Sequence, residues 1–193
     1  MLFIDCKINN VIIKSSNERL VSFDEGAFMN KKILYKKTYR ILENSTPLRF
    51  DCGLVCDKKC CSGGSNNGMH LYPGEEVLHT DSGFLNIRSE SFGNSDILFA
   101  ICQGMCKRKL RPLACRIFPF APYLDSVGRL SIIEDPRAKY LCPLLFDEAE
   151  IKISRKFKRD ILKVFRILVQ DKEIKDYLYT LSRVLDEYIR FVS

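Results

Sequence analysis

The feature that most constrains this chain is its cysteine content. The sequence of 193 residues contains nine cysteines, and all except Cys6 fall between Cys52 and Cys142. The number is odd, and the proportion is below the roughly 8–10% typical of small disulfide scaffolds. The first five residues also lack the basic segment of a secretory signal. We therefore expect a cytoplasmic protein, in which clustered cysteines indicate metal or redox chemistry more often than disulfide bonds.

The spacing of the central cysteines suggests metal ligands. Cys52, Cys56 and Cys60 are four residues apart, so they would share one face of a helix or converge in a loop. Cys60 and the adjacent Cys61 point in different directions in most conformations, which favours two sites or a multinuclear cluster over one tetrahedral ion. A second cluster follows, and then a late single cysteine. The predicted ligands are Cys52, Cys56, Cys60, Cys61, Cys102, Cys106, Cys115 and Cys142.

Thiolate ligands indicate either zinc or an iron–sulfur cluster. Zinc ribbons use Cys-x2-Cys pairs, whereas this chain contains Cys-x3-Cys spacing and a vicinal pair, so iron–sulfur is favoured. The glycines after Cys61 would let backbone N–H groups approach sulfur, which tunes such clusters. His70 and His79 are weaker ligand candidates.

Positive charge accompanies the second cysteine cluster. Five cations and no acid lie between Lys107 and Arg116, and positive charge stabilises the thiolate form of nearby cysteines. The same cations would offset the negative charge of a thiolate-ligated metal. We therefore predict that Arg111 and Arg116 lie at the cofactor.

The order of these motifs resembles that of a known family. Four cysteines ending in Cys60-Cys61, two more cysteines, the string Arg111-Pro-x-x-Cys-Arg-x-Phe-Pro119 and a late cysteine are similar to the YkgJ-like cysteine-cluster family. That family is also called CxxCxxCC, a zinc- or iron-chelating domain with eight recurring cysteines. The likeness covers residues 50–145 and implies metal chelation. The spacers of the first cluster have three residues here instead of two. The cysteine positions are also distantly similar to those of flagellin lysine N-methylases.

The charge distribution favours neither nucleic acid nor a membrane as partner. The net charge of +7 is divided into +4 for residues 1–50, −2 for residues 51–150 and +5 for residues 151–193. Anionic metal centres in the middle would absorb part of this excess, and aromatic–basic interleaving typical of RNA-binding sheets is absent. The longest apolar runs cover about six residues, far below the roughly 20 that span a bilayer. We expect a protein or small-molecule partner.

The pattern of apolar residues predicts an α+β fold in one metal-organised domain over residues 1–193. We expect an N-terminal hairpin around Asn9-Asn10, a helix over residues 27–43 and a hairpin over residues 123–133. Residues 51–95 lack periodicity and are expected to be irregular. Two amphipathic helices in residues 147–193 are predicted to pack on the cysteine core of residues 50–145, in preference to forming a dimerisation hairpin.

These observations favour a protein with one or two thiolate-ligated centres and a redox or metal-assisted role. One alternative is an S-adenosylmethionine-dependent enzyme similar to a protein lysine methylase. The cysteine signature of radical S-adenosylmethionine enzymes has two residues before its third cysteine, whereas three residues separate Cys56 from Cys60 here. Another is a zinc-stabilised interaction module. No Ser/His/Asp arrangement is evident, and Glu75 and Glu76 are expected to be surface acids, so catalytic residues remain unassigned.

Overall fold

The computed structural model describes residues 25–64, 67–92, 95–104, 106–146 and 151–192. Within them the helices are α1 (Glu25–Ile41), α2 (Gly53–Cys56), α3 (Leu113–Ile117), α4 (Arg155–Leu168) and α5 (Lys172–Val192). The strands are β1 (Gly68–His70), β2 (Leu85–Phe92), β3 (Ser95–Cys102), β4 (Phe120–Leu124) and β5 (Leu130–Glu134). The predicted α+β class is therefore confirmed. The predicted N-terminal hairpin and Cys6 lie outside the described residues.

The two predicted C-terminal helices are confirmed as α4 and α5. Their N-termini are capped, since Ser154 Oγ accepts a hydrogen bond from Phe157 N at 3.4 Å and Asp171 Oδ1 accepts one from Ile174 N at 3.1 Å. Their inner faces are fully or almost fully buried through Phe157, Ile161, Val164, Phe165, Leu168, Ile174, Leu178, Leu181 and Leu185. The apolar face of α5 from Ile174 to Leu185 is thus buried within the chain. No helix in the described part of the chain is long and apolar enough to cross a membrane.

The helices share one hydrophobic core with the rest of the chain. Helix α4 packs on β5 and α1, and α5 packs on β4. Tyr177 of α5 connects this core to β2, because its ring stacks on the ring of Phe92 with the centroids 5.6 Å apart. Leu113 and Ile117 of α3 belong to the same core. The helical pair is therefore joined to the segment that contains Cys115.

The expectation that residues 51–95 are irregular was wrong for β1 and β2. Both pair antiparallel with β3, in the order β1-β3-β2, with Gly68 opposite Ile101 and Leu85 opposite Cys102. β2 is an edge strand with many exposed polar side chains, so its sequence lacks the apolar alternation that indicates a strand. Its pairing with β3 places Leu85, the first residue of β2, next to Cys102.

The predicted hairpin of residues 123–133 is confirmed by β4 and β5. The strands pair with Leu124 opposite Leu130. In the turn between them, Asp125 Oδ1 accepts hydrogen bonds from Val127 N at 3.0 Å and Arg129 N at 2.8 Å. An aspartate that bonds to the backbone of its own turn is a common way to stabilise such a reversal.

Candidate metal centre

Five of the eight predicted ligands line one pocket. They come from three segments of the chain: the 3₁₀ turn Lys59–Cys61, the region from the end of β3 to residue 106, and α3. Gly68, Leu85 and Pro112 are among the other residues that line it. We call this set the pocket cysteines, which are Cys60, Cys61, Cys102, Cys106 and Cys115.

The vicinal pair Cys60 and Cys61 lines this pocket. The Sγ atoms of Cys60 and Cys61 are 3.9 Å apart. The hydrogen bond from Cys60, helped by the charge of Arg111, lowers the pKa of Cys61 to about 6, and the same bond raises the pKa of Cys60. The thiolate form, which binds metals, is therefore favoured at Cys61 over Cys60.

Close backbone packing orients the sulfur of Cys102. Gly104 N donates a hydrogen bond to Cys102 Sγ at 3.3 Å. Gly63 has a φ of +70°, and a Cβ atom there would lie 2.7 Å from Gly104 N, so the two loops meet only because residue 63 has no side chain. The approach of backbone N–H to sulfur was predicted for the glycines after Cys61, whereas the contact that the structure shows is made by Gly104 to Cys102.

Cys115 is positioned through the first turn of α3. Glu75 Oε1 accepts a hydrogen bond from Leu113 N at 2.5 Å, and Glu75 Oε2 accepts one from Tyr72 N at 3.0 Å. Burial and the charges of Cys61 and Cys106 raise the pKa of Cys115. A neutral thiol is thus favoured at Cys115 in the absence of a cation.

The two predicted arginines have different neighbours. Burial opposes the positive charge of Arg111, but its hydrogen bond with Cys106 and the charge of Cys61 raise its pKa. Arg116 instead donates to the carbonyl oxygens of Arg111 at 2.8 Å and Lys109 at 2.6 Å, and its guanidinium lies 4.0 Å from the ring centroid of Tyr39. Arg111 lines the pocket, whereas the contacts of Arg116 are structural.

The remaining three predicted ligands form a second group, Cys52, Cys56 and Cys142. Cys142 is buried in a small apolar cluster against which Cys52 packs. Burial is the main cause that raises the pKa of both thiols, and each also senses the charge of Cys56. Cys60 connects the two groups, since the charges of Cys52 and Cys56 contribute to its raised pKa.

Glu75, Tyr39 and His79 form a buried polar cluster that contacts the first turn of α3. The expectation that Glu75 is a surface acid was wrong, since its side chain is fully buried and bonded to Tyr39 Oη at 2.5 Å. His79 Nε2 lies 3.1 Å from the same hydroxyl. His79 does not line the pocket, and neither does His70, which packs edge-on against Phe99. The spacing of Glu75 and His79 by four residues was the only sequence signal.

The cysteine side chains are grouped but not in ligating positions. Among the residues that the structure describes, no three His, Cys, Asp or Glu side chains are arranged to hold a metal ion. The pocket between the pocket cysteines has a volume of about 40 Å³, which is of the order of one water molecule. Metal binding would therefore require the thiol groups to turn towards a common point.

Comparisons of the chain with protein-family models, with curated proteins and with solved structures find no match in any of the three. The resemblance to the YkgJ-like family therefore stays a prediction that depends on the motifs of residues 50–145.

Proposed function

We propose that this protein binds metal through cysteine thiolates, with an iron–sulfur cluster as the favoured cofactor and zinc as the second candidate, and that the centre has a redox or metal-assisted role. The observation that carries the proposal is the convergence of the five pocket cysteines from three separate segments. Soft thiolate ligands select iron–sulfur clusters or zinc over the hard cations that prefer oxygen.

Two contacts in the pocket support iron–sulfur in particular. The hydrogen bond from Gly104 N to Cys102 Sγ is the kind of contact that adjusts the potential of a cluster. The guanidinium of Arg111 next to Cys106 and Cys61 supplies positive charge where four thiolates would otherwise leave the centre anionic. Both contacts belong to the chain itself and would act on a bound cluster directly.

The neighbours of each thiol support a division into two tetrads. The charges of Cys61 and Cys106 contribute to the raised pKa of Cys102 and of Cys115. The pKa of Cys60 is raised mainly by its hydrogen bond with Cys61, and the charges of Cys52 and Cys56 also contribute. A closed thiolate site uses four ligands, and Cys60 would complete the second group. The proposed first tetrad is Cys61, Cys102, Cys106 and Cys115, and the proposed second tetrad is Cys52, Cys56, Cys60 and Cys142.

Metal analysis of anaerobically purified protein tests this proposal. We expect an iron–sulfur absorption spectrum, with iron and sulfide equivalent to two centres per chain. Cys115→Ser and Cys142→Ser are each expected to lose one centre and retain the other. Cys6→Ser is the matched control and is expected to retain both.

The outcomes separate the parts of the proposal. A colourless protein with stoichiometric zinc would replace iron–sulfur by zinc. Loss of all metal in either single variant would contradict the division into tetrads. Failure to bind metal after anaerobic reconstitution with iron and sulfide, and separately with zinc, would contradict the function as a whole.

A further inference from the structure

A groove lies between α1 and α4, and no cysteine lines it. Its volume is about 650 Å³. The apolar residues at its surface are three isoleucines, of which Ile33 is 63% exposed. Four cations surround them, and no acidic residue lines the groove. The lining residues are Ile33, Lys36, Lys37, Arg40, Ile41, Lys163 and Ile167.

The four cations have no carboxylate partner in the part of the chain that the structure describes. Other lysines on the same two helices are paired: Lys31 Nζ lies 2.7 Å from Asp171 Oδ1, and Lys156 Nζ lies 2.6 Å from Asp160 Oδ2. The positive potential of the groove is therefore not neutralised within the described residues, and a negatively charged partner would be attracted to it.

We infer that this groove binds an acidic amphipathic helix of a partner protein. Ile33 and Ile41 are eight residues apart on α1, which places them about 12 Å apart along the helix axis. Apolar side chains at positions i and i+7 of a bound helix are separated by a similar distance, so they would contact both. Glutamates and aspartates flanking that apolar stripe would then face Lys36, Lys37, Arg40 and Lys163.

The shape and chemistry of the groove favour a protein helix over other anionic partners. Nucleic acid binding sites combine cations with aromatic residues on which bases stack, and no aromatic residue lines this groove. A membrane surface is contacted by protruding apolar side chains, whereas these isoleucines lie in a concave surface between two helices. Four cations spread over two helices also exceed what a single small carboxylate requires.

Fluorescence anisotropy with the full chain and synthetic labelled peptides tests the inference. The probe is an 18-residue helix with leucine at positions i, i+3, i+4 and i+7 and glutamate at the positions that flank this apolar stripe on both sides. One control peptide replaces the glutamates by lysines, and another scrambles the acidic sequence so that its apolar stripe is lost. We expect binding of the acidic amphipathic peptide alone, weakening with salt.

Matched variants locate the binding surface. The double substitution Lys37→Glu with Lys163→Glu is expected to lower the affinity for the acidic amphipathic peptide roughly tenfold. The double substitution Ile33→Ser with Ile167→Ser is expected to lower this affinity by a similar factor at high salt. Lys175→Glu, on the exposed face of α5, changes charge outside the groove and is expected to leave binding unchanged. Circular dichroism confirms that each variant is folded.

Three outcomes would overturn the inference. They are equal binding of the scrambled acidic peptide, equal loss of binding in Lys175→Glu, and absence of binding by the amphipathic acidic peptide. Tighter, Lys37- and Lys163-dependent binding of a single-stranded oligonucleotide or of phosphatidylglycerol vesicles would overturn the partner class. None of these outcomes depends on metal content.

Discussion

The helices α4 and α5 and the cysteine-containing loops are held in place by different means. Phe165 and Leu178 of the helices are completely buried. In the first cysteine cluster, by contrast, Phe50 is 53% and Leu54 is 75% exposed, and the only regular structure is a four-residue helix and a three-residue 3₁₀ turn. A helix of four residues has little stability of its own.

The two regions therefore derive their stability from different sources. Burial of apolar surface is non-directional and is shared by the whole core, so the helices are stabilised by the fold as a whole. The cysteine loops depend on individual directional contacts, such as the hydrogen bond to Cys102 Sγ and the left-handed turn at Asp57 and Lys58. Substitutions in the helices should therefore act globally, and substitutions in the loops should act locally.

The largest effect is expected from Phe165→Ala in α4. The Phe165 ring is fully buried and lies 5.2 Å from the Tyr72 ring, centroid to centroid. Its removal leaves a cavity and is expected to lower the free energy of unfolding by about 3–5 kcal/mol. Phe191→Ala is the control, because Phe191 is 89% exposed, and should change stability by less than about 0.5 kcal/mol. Urea denaturation followed by circular dichroism measures both, and equal losses would show that α4 is not part of the main core.

A smaller and local effect is expected from Gly63→Ala. The added Cβ would lie 2.7 Å from Gly104 N, at a φ of +70°, so strain of about 1–3 kcal/mol is expected. The loops should separate, and Cys102 should react faster with a thiol reagent while the helical circular dichroism signal is retained. At Gly83 an added Cβ meets nothing within 4 Å, so Gly83→Ala is the matched control. Equal thiol reactivity in both variants would contradict the proposed role of Gly63.

The smallest effect is expected from Asp171→Ala between α4 and α5. Asp171 caps α5 and pairs with Lys31, so its loss is expected to cost about 1 kcal/mol at neutral pH. Asp176→Ala removes an exposed pair with Lys172 and should have less effect.

The effect of Asp171→Ala is also expected to depend on pH. Burial alone would raise the pKa of Asp171, but the hydrogen bonds from Lys31 and the backbone of Ile174 hold it below its ordinary value. The stabilisation is therefore complete above the unfolded pKa of about 3.9 and is lost as the pH falls through the lower folded pKa. Denaturation at neutral and acidic pH should show the difference from the wild type shrinking in acid, and a constant difference would contradict this account.

Elements with local signals could be predicted, and those with non-local causes could not. The periodic apolar residues of α4 and α5 and the turn residues near Asp125 identify their elements directly. β2 escaped prediction because its exposed polar residues are held in a strand by pairing with β3. The burial of Glu75 was not predicted, because its hydrogen-bond donors Leu113 N and Tyr39 Oη are distant from it in the sequence.

The number of thiols, the helical pair and the presence of cations among the cysteines could all be predicted from the sequence, because they follow from residue type and spacing. The tertiary structure was needed to show which thiols are neighbours, and it placed Cys60 between two groups, with its Sγ 3.9 Å from that of Cys61. It also directed Arg111 to the sulfur atoms and Arg116 to Tyr39. The reason is physical: the direction of a side chain depends on the backbone and on contacts with residues distant in sequence.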